Sequence, residues 1–171
     1  MPYRIRQCVC LVSGIVLVSY IAGLEAQRRV PGQAEPKQAI DVSLTIGGHT
    51  TYASRDPGRC THAPTASIYS ILSEMWSVQQ SSEGRSLALT LWRPKNGTGD
   101  MVTLSVSGGK SLHQINTVRG GGATSGTGKV TLDKSGAGGT FTIDGKTQEG
   151  IAVSGTIKCD AFAPHIAEGG L

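Results

Sequence analysis

The chain has 171 residues, 24 of them glycine, with 38% apolar and only 16% charged residues. That is room for one domain but not for two ordinary ones, and a disordered chain would be more charged and less patterned. The formal net charge of +4 is spread along the sequence, without the clustered Lys/Arg and interleaved aromatics of a nucleic-acid footprint, so no nucleic-acid partner is expected.

The N-terminus reads as a targeting segment. Arg4 and Arg6 form a basic start, residues 9–24 are mostly apolar, and Leu24-Glu25-Ala26 offers a small residue at the cut. A signal peptide over 1–26 is expected, with a mature start near Gln27 and a polar, proline-bearing linker over 27–38. The apolar run is near the lower limit of about 17–25 residues for a membrane span, so membrane contact is expected only if the leader stays uncleaved. Cleavage takes Arg4, Arg6 and Glu25 away and lowers the net charge by a single unit.

Cleavage also removes Cys8 and Cys10. Cys60 and Cys159 remain, far apart and with no Cys-x-x-Cys spacing, which points to one structural disulfide in an oxidising compartment rather than a redox or metal pair. Closing a loop of about 100 residues adds ~4–5 kcal/mol on the chain-entropy view. That is a large share of a typical total of ~5–15 kcal/mol.

Residues 39–46 alternate cleanly, with Ile40, Val42, Leu44 and Ile46 on one side, and predict a half-buried strand. Gly47-Gly48 supplies a tight turn into a second strand over 49–54. Residues 61–73 stay undecided: Ile68, Ile71, Leu72 and Met75 fall at helical spacing after Pro64, so a short helix near 65–75 and an extended loop are both open. Further strands are expected over 75–80, 86–93, 101–107 and 111–118, with a polar loop at 94–100 and a Gly108-Gly109 hairpin. After a Gly/Ser/Thr loop at 119–128 come strands at 129–133, 139–144 and 151–159, and a tail over 161–171 expected to be flexible. Eight or nine short strands at this spacing predict an all-β domain over 39–160, an antiparallel β-sandwich or, alternatively, a small β-barrel.

Three stretches together carry a resemblance: Val42-Ser43-Leu44-Thr45-Ile46 leading to Cys60, the Ser125-Gly126-Thr127-Gly128 loop, and Ser154-Gly155-Thr156-Ile157-Lys158-Cys159 at the last strand. In this the chain resembles the actinobacterial 19 kDa lipoprotein-antigen family. The resemblance implies an exported, Gly-rich β-domain at the cell surface and no catalytic residues. The family is anchored by a lipidated cysteine at the end of its leader. Here Cys8 and Cys10 sit too early for that role, so lipid anchoring does not carry over.

Motifs for catalysis are missing at the residue level. In the 122–130 stretch, Ala123 and Val130 occupy the glycine and Ser/Thr positions that a phosphate loop needs. His49, His62, His113 and His165 show no metal-ligand spacing, so no metal or other cofactor is expected. No Gly-x-Ser-x-Gly elbow is present. Asn96-Gly97-Thr98 has the form of a sequon and reads as a turn.

The candidate binding surface is aromatic. Trp92 falls on the strand face opposite Leu87, Leu89 and Leu91, suited to stacking on a sugar or a partner, unless a loop covers it. Tyr52, Tyr69 and Trp76 flank the undecided segment as possible groove walls, and His62 lies beside Cys60. The resulting expectation is a monomeric, exported, non-enzymatic binding module, periplasmic or extracellular, for an envelope, carbohydrate or protein ligand. The alternatives are a carrier of a small apolar ligand in a cleft under 68–75, and a secreted enzyme inhibitor or hydrolase.

Overall fold

The computed structural model describes residues 37–119 and 124–165. The expected leader, the linker up to residue 36 and residues 166–171 lie outside the described residues.

The fold is all-β and antiparallel, as the alternation requires. Among the described residues, eleven strands form one continuous sheet: β1 (Gln38–Ile46), β2 (Thr50–Ser54), β3 (Pro57–Ile68), β4 (Ile71–Ser82), β5 (Arg85–Pro94), β6 (Met101–Gly108), β7 (Ser111–Asn116), β8 (Thr127–Ser135), β9 (Gly138–Lys146), β10 (Ala152–Cys159) and the short β11 (Ala163–Pro164). The ladder runs β7-β6-β5-β4-β3-β1-β10-β9-β8, with β2 on β1 and β11 parallel to β3. Its two ends curl towards each other and meet at a single bridge, Asn116 to Ser125, so the sheet nearly closes into a small barrel.

Period-two alternation drives that curl. Ile40, Val42 and Leu44 on β1, Leu87, Leu89 and Leu91 on β5, Val102, Leu104 and Val106 on β6, and Phe141 and Ile143 on β9 all point into one shared core. The Gly47-Gly48 turn has positive φ at both residues (63° and 76°), which glycine adopts without steric cost. Gly155 is the tightest contact inside the sheet. It pairs with Leu44 at φ 140°, and a methyl group there would overlap the Ser43 carbonyl.

The disulfide forms as expected. Cys60 on β3 joins Cys159 at the end of β10, 99 residues apart in sequence and 6.2 Å between Cα atoms, both buried. β3 and β10 flank β1 on opposite sides, so the bond clasps the first strand between its two neighbours.

Three expectations need correction. The undecided 61–75 stretch holds no helix; it is the β3–β4 hairpin, and the strand count rises from eight or nine to eleven. Ile68 and Ile71 recur at helical spacing because they face each other across a two-residue turn, Tyr69-Ser70, which has positive φ without any glycine (48° and 65°). Pro64 lacks an N–H, and the register shifts there between Ala63 and Ala66 as a bulge. Finally, the start of the supposed flexible tail is docked. Phe162 packs edge-on against Phe141 with centroids 5.9 Å apart and donates its backbone N–H to Ala137, while β11 pairs with Thr61 and His62.

Candidate functional site

At one end of the barrel, where β3, β5, β8 and β10 finish and β4, β6 and β9 begin, the interior rows change from apolar to charged. On β5 the row Leu87, Leu89, Leu91 continues to Arg93. On β8 the row Val130, Leu132 continues to Lys134. On β4, moving outward, Gln80, Val78 and Trp76 lead to Glu74, and on β3 Cys60 leads to His62. Successive inward positions lie two residues apart, so each strand carries its last inward side chain into the barrel mouth.

These side chains converge on Trp76, which is 0% exposed. The His62 ring stacks on the indole at 4.9 Å between centroids and 9° between planes. The Arg93 guanidinium lies over the same ring at 5.1 Å and the Lys134 ammonium at 5.4 Å. Glu74 Oε1 is 2.7 Å from His62 Nε2 and 3.8 Å from Lys134 Nζ. Lys134 reaches this group from β8, across the lumen from β4 in the ladder order. Arg93 Nη2 and Nε donate to Asp100 Oδ2 at 3.2 and 3.3 Å.

One group stays unsatisfied. Among the described residues, Trp76 Nε1 is the buried side-chain polar atom without a hydrogen-bond partner. A buried donor left unpaired costs about 1–3 kcal/mol. The partly exposed ion pairs around it contribute ~0–1 kcal/mol each, and cation–π contacts ~0.5–1 kcal/mol at such sites.

Beside the mouth the barrel stays open. A cavity of about 430 Å³ separates Arg93, Asp100 and Val102 on one wall from residues 128–132 of β8 on the other. A second cavity of about 350 Å³ adjoins it, sharing Asp100 and Gly128 and reaching Thr117 and Arg119. β8 pairs with β9 along one edge; along the other, the described residues offer it no ladder beyond the Asn116–Ser125 bridge.

The aromatic residues expected to form one surface are dispersed. His62 and Trp76 do meet, in the stack just described, but Trp76 is wholly enclosed. Tyr52 is buried towards the other end of the barrel, opposite Leu44 and beneath Arg85, because β2 turns it inward. Tyr69 stands 56% exposed at the tip of the β3–β4 hairpin. Trp92 is outward-facing as expected but half-covered. It sits between Met75 and Met101 in the β4-β5-β6 register and packs against Ile68, Met101 and Val118. Tyr52, Tyr69 and Trp76 thus share no groove, and residues 68–75 are the end of β3, the Tyr69-Ser70 turn and the start of β4. Residues 127–130 lie in β8, where a phosphate loop would lead into a helix. Asn96 sits in an exposed turn, its Oδ1 accepting the Thr98 N–H at 3.0 Å.

Glu74, Arg93, Asp100 and Lys134 were not singled out in the sequence. The signal that finds them is an apolar alternating row ending in a charged residue at the same strand end on several strands. Compared with protein-family profiles, curated proteins and solved structures, the chain matches none, so its own geometry carries the functional argument.

Proposed function

We propose that this protein is an exported, non-enzymatic binding module, and that its ligand site is the charged mouth around Trp76 with the adjoining seam along β8. The observation that carries the reading is the buried indole N–H of Trp76, unpartnered among the described residues, on a ring contacted by ionisable side chains from three other strands. A ligand acceptor atom reaching that N–H would recover what the empty donor costs. A binding role accords with the state of His62. Its Nε2 faces Glu74 and its ring face is covered by Trp76, and among the described residues no hydroxyl or thiol is hydrogen-bonded to it as a nucleophile would be. Export accords with the Cys60–Cys159 bond, since disulfides persist in oxidising compartments, and with the resemblance to the lipoprotein-antigen family.

The test is the intact mass and activity of protein expressed with its own leader and recovered by cell fractionation. The reading predicts a non-cytoplasmic chain starting near Gln27, with no free thiol and no turnover of ester, peptide or glycoside substrates. Full-length protein held in the cytosol with Cys60 and Cys159 reduced would contradict export. Turnover that disappears in the His62→Gln variant would contradict the non-enzymatic reading.

A further inference from the structure

The open seam indicates what kind of ligand enters. We propose that it takes an extended polypeptide segment alternating apolar and acidic residues, which adds as a strand to the free edge of β8 over residues 128–132. This rests on the reading of mouth and seam as a binding site and specifies its ligand.

Three observations carry it. First, one wall of the 430 Å³ cavity is a strand edge rather than a face. Its backbone N–H and C=O groups along residues 128–132 have no ladder partner on that side among the described residues. The complement of such an edge is another extended backbone, which supplies the missing donors and acceptors in register. At ~3.4 Å per residue, these five positions match a short stretch of ligand strand.

Second, the opposite wall belongs to the same barrel. Arg93, Asp100 and Val102 face β8 across the gap. The edge of a second copy's sheet would bring its own neighbouring strands against these walls, whereas a lone segment brings none. The geometry therefore favours a free segment over self-association.

Third, the charges are unbalanced. Lys129 in this cavity, opposite Asp144 on β9, and Arg119 in the adjoining one make no ion pair among the described residues, while the sole acid lining the two cavities, Asp100, is taken up by Arg93. An added strand sends alternate side chains to opposite faces. One set meets Val102 and Val130, buried and apolar; the other runs beside Lys129. Apolar residues suit the first set and carboxylates the second.

The experiment uses short fluorescent peptides on the disulfide-bonded protein. One alternates valine and glutamate, one alternates valine and lysine, and one is the valine–glutamate peptide with alternate backbone nitrogens methylated. Binding is read by anisotropy, and amide protection by hydrogen exchange. The valine–glutamate peptide is expected to bind and to slow exchange at residues 128–132; N-methylation and the lysine version should each weaken it by about tenfold or more. The exposed Lys129→Glu variant should invert the charge preference, which a folding defect would not do. Binding insensitive to N-methylation, or protection away from β8, overturns strand addition. So does a concentration-dependent dimer that gains the same β8 protection without peptide. If no peptide binds but a small dicarboxylate or a neutral oligosaccharide shifts Trp76, the peptide class is wrong while the binding site stands. If no probe shifts Trp76, the reading of the site fails as well.

Discussion

The His62 imidazole lies nearly parallel to the Trp76 indole, 9° apart in plane and 4.9 Å between centroids, on adjacent strands in direct register. The pair closes the apolar core on one side and faces the ionisable groups of the barrel mouth on the other. Among the described residues, Trp76 is at once the largest fully buried side chain and the one holding an unpaired buried donor.

That combination separates two substitutions. Trp76→Phe gives up ring volume but also removes the unpaired N–H, an offset of about 1–3 kcal/mol, so its net cost in urea melts should stay below about 1.5 kcal/mol. Trp76→Ala keeps no such compensation and should cost ~3–5 kcal/mol. Equal losses in the two variants would mean that the indole N–H is satisfied in solution.

Removing both cysteines as Cys60→Ser with Cys159→Ser should lower unfolding free energy by about 3–5 kcal/mol, since the bond closes a long loop. The measurement is a denaturant titration of the double variant beside the oxidised parent. The reduced parent should track the variant, and a parent unaffected by reductant would contradict the clasp.

Tyr52 sets a pH limit. Burial pushes its phenol above the ordinary value near 10, partly opposed by the Arg85 guanidinium over its ring. A raised folded-state pKa means the native state holds the proton more tightly than the unfolded chain. Its contribution is therefore complete below the ordinary phenol range and is lost as pH rises through the folded value. Thermal melts above about pH 10 should fall more steeply for the parent than for Tyr52→Phe; parallel curves would contradict this.

Gly155→Ala should cost at least ~1 kcal/mol, because the added methyl meets the Ser43 carbonyl at a φ that L side chains rarely adopt. Gly97→Ala, with positive φ but open space around it, is the matched control and should cost less in the same melt.

Most strands were legible because their inward residues alternate without interruption, as at Leu87, Leu89 and Leu91 or Val102, Leu104 and Val106. The 61–75 hairpin was not. Its turn residues, Tyr69 and Ser70, carry none of the usual turn chemistry, and Pro64 breaks the pairing partway along the strand. Phe162 was missed because a lone aromatic after the last strand has no periodicity; only its distant partner Phe141 explains it. The mouth escaped notice for a related reason. Glu74, Arg93 and Lys134 are unremarkable along the chain, and their meaning lies in the register of strands that bring them around one ring. Grouping Tyr52, Tyr69 and Trp76 by their nearness in sequence failed because strands β2 to β4 send them to opposite ends of the barrel and, for Tyr69, into solvent.

The chain has two tryptophans, so a nitrogen-15 spectrum gives two indole N–H signals, one from the mouth and one from the outer face. The most direct test of the binding site follows both while the protein is titrated in turn with the valine–glutamate peptide, a dicarboxylate and a neutral oligosaccharide. The account predicts that at least one of these moves the Trp76 signal saturably and leaves Trp92 in place. A Trp76 signal unmoved by all three, or a response confined to Trp92, would contradict it.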